Sequence, residues 1–252
     1  MGGKRVSKIR VRFSRGEAVK FISHLDLMKV FERAIRRSGL PIDYSKGFNP
    51  HPQMVFGLPL PVGMTSDCEY ADFTLAEETG TEEFMQRLNA SLPEGIRVTA
   101  AAVNNSKKNI MASIRGAEYL LQIFTNEVLS LENVSAGLEN MLKCESIKVG
   151  KESKGKDGRR VLRETEIRPM ILKAAIEPVR VLPEGYEGFG SAYLIKAELK
   201  AGSEANLRPD LFLKAFAQQL GTTADAVRMH RSALYSEVGG AKADPLDKAC
   251  LS

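Results

Sequence analysis

The sequence predicts an α+β protein built as two tandem ferredoxin-like units, each a βαββαβ run with an antiparallel sheet. Three observations predict it. Short runs alternate apolar and polar side chains, as half-buried strands do. Two amphipathic helical stripes separate those runs between residues 9 and 103. After the polar stretch Asn104-Asn-Ser-Lys-Lys-Asn109 the same succession starts again. The expected division is 1–104 for the first unit, 110–238 for the second, and 239–252 as a disordered tail.

Ile9-Arg-Val-Arg-Phe13 alternates apolar and basic residues and reads as the first strand. Ser23, with Asp26 three residues on, is close to a capping box, so a helix starts there. Leu27, Met28, Phe31, Ala34 and Ile35 form its inward stripe; Lys29, Arg33, Arg36 and Arg37 lie elsewhere on it; Gly39 ends it. Residues 41–65 carry eight Pro and Gly residues, so Met54-Val-Phe56 is at most an edge or bulged strand fed by a loop. Glu69 to Leu75 alternates as a strand, Thr81 is placed to cap a helix to about Leu92, and Pro93-Glu-Gly95 turns into a strand over 96–103. Such a unit carries its helices on one sheet face and leaves the other face free. In the second half, 117–124, 192–199 and 226–235 read as strands, and 130–142 and 209–220 as helices. Residues 146–180 read as a basic hairpin followed by a strand, with 150–158 as its tip.

Composition narrows the function classes. Hydrophobic residues make up 43% of the chain and charged residues 27%, values normal for soluble globular proteins and enough for a packed core. No apolar run approaches the length of a membrane span, and the basic first ten residues lack a signal-peptide core, so a cytoplasmic location is expected. Cys68, Cys144 and Cys250 are too few and too scattered for a disulfide framework or a CxxC metal site. The histidines His24, His51 and His230 have no metal-ligand spacing, and no metal is expected. No Ser-His-Asp order, HExxH, P-loop or dinucleotide fingerprint is present, and no catalytic residue is assigned.

Charge is unevenly placed. Residues 1–64 hold 12 Lys and Arg against 4 Asp and Glu, whereas 65–103 hold 2 against 8. A basic segment of this kind suits a polyanion, with RNA the first candidate. Tyr44-Ser-Lys-Gly-Phe-Asn-Pro-His-Pro52 is the most informative stretch. Lys46 suits a phosphate, Tyr44 and Phe48 suit base stacking, and Asn49 and His51 suit base edges or sugar hydroxyls. The alternative is an ordered Pro-rich turn with Phe48 filling the core. Lys20 and His24 flank a helix start, where an anion is favoured. Arg33 and Arg37 on that helix, Lys154, Arg159 and Arg160 on the basic hairpin, and Arg228 in the last strand complete the candidate RNA-binding set.

Phe21-Ile-Ser-His-Leu-Asp-Leu27, Arg33-Ala-Ile-Arg-Arg-Ser-Gly-Leu-Pro41, Tyr44 to Pro52 and Gly57-Leu-Pro-Leu-Pro-Val-Gly63 together resemble the bacterial radical-SAM-linked (radical-SAM-associated) proteins, an uncharacterised family. The resemblance is dense over 6–103 and looser to about 235. It implies partnership with a radical-SAM enzyme, which would carry the [4Fe–4S] cluster and S-adenosylmethionine, and a role in tRNA or rRNA modification. This chain lacks three closely spaced cysteines for such a cluster and is expected to hold no cofactor itself. The expectation is therefore an RNA-binding accessory protein, more an adaptor than an enzyme. The alternatives are a metal-independent ribonuclease of ferredoxin-like fold, with His24 or His51 as base, and a protein-interaction scaffold for the radical-SAM partner.

Overall fold

The structure is a computed structural model that describes residues 7–154 and 160–252. It is a mixed α+β fold whose strands are mostly antiparallel, with six α-helices among the described residues. Two compact units divide the chain. One runs to Gly116 and takes in Ala201–Glu204 and Arg231–Ser252; the other comprises Ala117–Lys200 and Ala205–His230. The boundary thus falls later than residue 104, and the last 22 residues belong with the first unit.

In the first unit, β1 (Ser7–Arg15) pairs on one side with β3 (Met64–Leu75) and on the other with β4 (Ile96–Val103). The three-residue β2 (Met54–Phe56) pairs with β3, giving the order β4-β1-β3-β2. Helix α1 (His24–Ser38) forms because Ser23 caps it, its Oγ accepting from the Asp26 amide. Leu27, Phe31, Ala34 and Ile35 are buried at helical spacing, while Arg33, Arg36 and Arg37 stay exposed. Gly39 stops it with φ +62°, a left-handed value that costs glycine nothing. Helix α2 (Thr81–Asn89) begins one residue earlier than expected: Gly80 is the cap and Thr81 is already helical.

Strand alternation then sorts β1 onto two buried faces. Ile9, Val11 and Phe13 face α1 and α2, where Phe13 meets Phe31 edge-on at 5.1 Å and Phe31 meets Phe56 at 5.2 Å. Arg10 and Arg12 point the other way, and that face is not free. Arg10 is 0% exposed and grips Asp72 with Nε at 2.7 Å from Oδ1 and Nη2 at 3.1 Å from Oδ2. Its Nη1 also donates to the Pro245 carbonyl at 3.1 Å. Asp72 accepts the Ile110 amide at 2.7 Å, at the start of the one-turn α3 (Ile110–Ser113). Tyr70 donates to Asp244 at 3.1 Å, and Arg12 pairs with the same carboxylate at 3.2 Å.

The expectation of a disordered tail at 239–252 is therefore overturned. That segment contains strand β11 and helix α6, at Ala241–Ala243 and Lys248–Leu251, and it covers the sheet face opposite α1 and α2. The reason is electrostatic. A buried guanidinium and carboxylate on β1 and β3 need acceptors and donors beyond each other, and the backbone of 105–110 and 245–250 supplies them. The polar linker is ordered for the same reason: the Asn105 amide donates to the Leu251 carbonyl at 2.8 Å.

In the second unit, β5 (Ile114–Thr125) leads to α4 (Leu131–Lys143), then to the hairpin β6–β7 (Lys148–Lys154 and Arg160–Glu166). Strands β8 (Ile171–Pro178) and β9 (Ser191–Lys200) pair antiparallel, α5 (Pro209–Leu220) follows, and β10 (Ala226–Val238), of which the residues up to His230 belong to this unit, closes the order β10-β5-β9-β8. Val134, Leu138 and Met141 of α4 and Phe212, Ala215 and Phe216 of α5 are buried. The base of the hairpin is tied by Glu166, which accepts from the Ser146 hydroxyl and from the Ile147 and Arg168 amides at 2.8 and 2.9 Å. Among the described residues no helix is long and apolar enough to cross a membrane.

Two outcomes are expected. Asp72→Ala leaves Arg10 buried without its carboxylate, and should cost about 3–5 kcal/mol in chemical denaturation, together with early proteolysis of residues 239–252. The second concerns acid. The three hydrogen bonds, that from Ser146 foremost, hold the Glu166 carboxyl down to about 2. Its contribution is present above the ordinary carboxyl value and is lost as pH falls through about 2. Hydrogen exchange at the Ile147 and Arg168 amides should accelerate, beyond its intrinsic pH dependence, across that acid range.

Candidate nucleic-acid interface

The stretch Tyr44–Pro52 is a braced loop, not a floppy one. Its stem is closed by Asp43 N to Thr74 O at 2.8 Å, Gln53 N to Asp43 O at 2.8 Å, and a bridge between Tyr44 and Pro52. Ser45 locks the next layer: its amide donates to the His51 carbonyl at 2.9 Å, and its Oγ accepts the His51 amide at 3.0 Å. Gly47 turns the tip with φ +132°, a backbone that other residues rarely adopt. The side chains of Lys46, Phe48, Asn49 and His51 all project into solvent. Phe48 is 107% exposed, so the reading of Phe48 as a core plug is overturned. The physical reason is that Phe13, Phe31, Phe56, Phe73 and Phe84 already fill the core, and the loop stem holds the tip away from it.

The other candidate residues fall in several places. Lys20 is engaged with Glu17 at 2.6 Å and sits 5.1 Å from the Phe21 ring centre. His24 is the first residue of α1, half-buried, edge-on to Phe56 at 5.7 Å. Burial first, and then the positive charge of Arg15, hold its pKa below the ordinary histidine value, so it is a neutral imidazole at pH 7. Arg33 is exposed on α1, and Arg37 donates to the Ser91 carbonyl. In the second unit, Arg228 lies 5.9 Å from the ring of Tyr186, which packs on Phe124 at 4.3 Å. Lys154 and Arg160 are register partners at the far end of the hairpin, and Arg159 lies outside the described residues.

Sequence reading missed a buried charge cluster in the first unit. Arg231 Nη1 lies 3.0 Å from both oxygens of Glu69, and the Leu58 and Pro59 carbonyls accept from the same guanidinium at 3.4 and 3.3 Å. Arg15 is 1% exposed and lies within the electrostatic reach of both. A signal existed: Ile9, Val11, Phe13 and Arg15 share one face of β1, so the alternation itself carries a cation into the core row. Cys68, adjacent in sequence to Glu69, is buried, and burial pushes its thiol up to about 12, which makes it an unreactive thiol at neutral pH. Among the described residues no three His, Cys, Asp or Glu side chains converge on a metal-sized point.

Residues 8–209 match the family model described as an uncharacterised protein conserved in bacteria (DUF2344). The chain belongs to this family. The DUF2344 match spans the first unit up to Gly116 and most of the second, and leaves out Arg231–Ser252 of the first. No curated protein matches the chain. Among solved structures it is similar to a chain from the crystal structure of a Cbf5-Nop10-Gar1 complex, at 11% identity and TM-score 0.44, over 92% of this chain and 50% of that one. It is also similar to a chain of an H/ACA RNP bound to a substrate RNA containing 2'-deoxyuridine, at 10% identity and TM-score 0.43, over 90% and 47%. The chain spans about half the length of these structures. Likeness of that degree carries no conclusion about the activity of this DUF2344 protein.

Because Phe48 touches no core, Phe48→Ala should change stability by no more than about 0.5 kcal/mol. Phe31→Ala, at 0% exposure, should cost about 3–5 kcal/mol by the same denaturation assay.

Proposed function

We propose that this protein binds RNA through the Tyr44–Pro52 loop and acts as an accessory to a radical-SAM enzyme in tRNA or rRNA modification in the bacterial cytoplasm. The observation that carries the RNA half is the tip of the braced loop. Phe48 is wholly exposed there, with Lys46, Asn49 and His51 beside it in sequence and equally solvent-facing. A solvent-facing phenyl ring on a rigid stem costs free energy in water, and stacking an unpaired base on it recovers about 1–3 kcal/mol. Lys46 supplies phosphate attraction, and Asn49 and His51 supply donors and acceptors for base edges or the 2′-hydroxyl. The stem hydrogen bonds lower the ordering cost of binding.

The two units, ordered β4-β1-β3-β2 and β10-β5-β9-β8, support a tandem ferredoxin-like architecture. The radical-SAM half of the proposal rests on the motif resemblance at 21–63. The cluster and S-adenosylmethionine would belong to the partner, since Cys68, Cys144 and Cys250 are too far apart in sequence to form a cluster motif.

Fluorescence anisotropy with bulk bacterial tRNA and rRNA fragments tests the loop. Replacing Lys46, Phe48 and His51 together by Ala should weaken binding by about tenfold or more. Lys46→Ala alone should reduce the slope of log affinity against log salt by about one. Unchanged affinity in the folded triple variant would remove the loop from the interface, and no RNA binding by the parent protein at low salt would leave the scaffold reading.

A further inference from the structure

The core-facing row of β1 ends on a charge that no carboxylate bonds directly. Three arginines are buried among the described residues, Arg10, Arg15 and Arg231, against two buried carboxylates, Asp72 and Glu69. Arg10 closes on Asp72 and Arg231 closes on Glu69. Arg15 is left over. Its Nη2 donates to the Val19 and Ile22 carbonyls at 3.4 and 3.1 Å, while Nε and Nη1 are enclosed and have no hydrogen-bond partner. Burial works against the charge and Arg231 adds to the penalty, with only partial relief from Glu69. A buried cation with idle donors calls for an acceptor that also carries negative charge. Water would answer the donors but not the charge.

The surroundings suit such a ligand. The two carbonyls that hold Nη2 belong to the turn leading into Ser23, so that end of the guanidinium reaches the approach to α1, a helix of 15 residues. The first amides and the dipole of a helix favour anions there. His24 opens that helix and stands against Phe56, with Arg15 acting on it from β1 and Glu69 from β3. As a neutral imidazole it offers one N–H donor without adding a second fixed cation.

We propose that Arg15, His24 and the N-terminus of α1 form a binding site for a phosphate group. That the anion is a phosphate and not a carboxylate rests on the RNA-binding reading above; the oxyanion site itself does not. The site is separate from the Tyr44–Pro52 loop, and it would hold one phosphoryl group in place while the loop stacks a base.

The test follows His24 by NMR, its imidazole signal assigned with His24→Gln. Inorganic phosphate is titrated against sodium chloride of equal ionic strength. A bound phosphate should raise the His24 titration midpoint by about one pH unit, saturably. Arg15→Gln, checked for folding by circular dichroism, should abolish that response. A His24 midpoint indifferent to phosphate overturns the site, as does a response that survives in folded Arg15→Gln. Where Arg15→Gln does not fold, the parent titration alone decides. Two oligoribonucleotides of one sequence then separate the sources. Movement of His24 with both the 5′-phosphate and the 5′-hydroxyl forms assigns the backbone phosphodiester, and movement with the 5′-phosphate form alone assigns the terminal phosphate. Movement with inorganic phosphate and with neither oligonucleotide keeps the site for free phosphate and detaches it from RNA. The loop variants test RNA binding without touching Arg15 or His24, so the two ideas fail separately.

Discussion

The Arg10–Asp72 pair is the interaction on which the first unit depends, because it makes both faces of one strand interior. A β-strand with one buried face needs only apolar alternation. β1 has two, and on its second face the buried side chain is a cation at 0% exposure. Such a cation is tolerable only when a carboxylate meets it in good geometry and the remaining donors find acceptors. Asp72 supplies the first, and the carbonyls of Lys108, Pro245 and Cys250 supply the second. The chain after β10 must return across the sheet to deliver those carbonyls. The ordering of residues 239–252 follows from the pair and not from any propensity of the segment itself.

Covering that face has a functional consequence. A four-stranded sheet with helices on one side offers its other side as a flat ligand platform. In the first unit Tyr70, Arg12 and Arg10 are instead engaged with the C-terminal segment. Among the described residues, the groups still open to a ligand include those at the strand and helix ends: the Tyr44–Pro52 tip, the start of α1, and Arg15 beside the turn before it. They divide the work by chemistry. The tip presents an aromatic face and an exposed cation, and the helix start presents buried donors and a fixed positive potential.

Two of the three buried arginines, Arg10 and Arg231, are explained by their own pairs, and Arg231 set against Arg15 shows how differently one residue type is used. Arg231 closes on Glu69 from 162 residues away and shares its donors with the Leu58 and Pro59 carbonyls, so it fixes the loop after β2. Arg15 is turned toward the backbone of residues 19–22 and has donors to spare. The same side chain is a staple in one position and a receptor in the other, and the difference is the presence of a carboxylate.

Helix α1 was readable from sequence because its information is local: a Ser cap, a stripe at i, i+3, i+4 spacing, and a terminal glycine all lie within 17 residues. The basic hairpin and the alternating strands were readable for the same reason. The loop composition at 44–52 marked a special segment, but solvent and core both suit a phenyl ring, and only the competition for core space among five other phenylalanines put Phe48 outside. The tail carries no periodicity, and nothing in its own residues states that Arg10 lacks acceptors. Pairings such as Arg10 with Pro245 and Arg231 with Glu69 span 235 and 162 residues, and the free energy that selects them arises only once the sheet has removed those charges from water. The sequence by itself determined the local elements and the chemistry available at each. Tertiary structure decided which charges are buried, which are paired, and which one is left to bind something else, because desolvation is a property of the assembled fold.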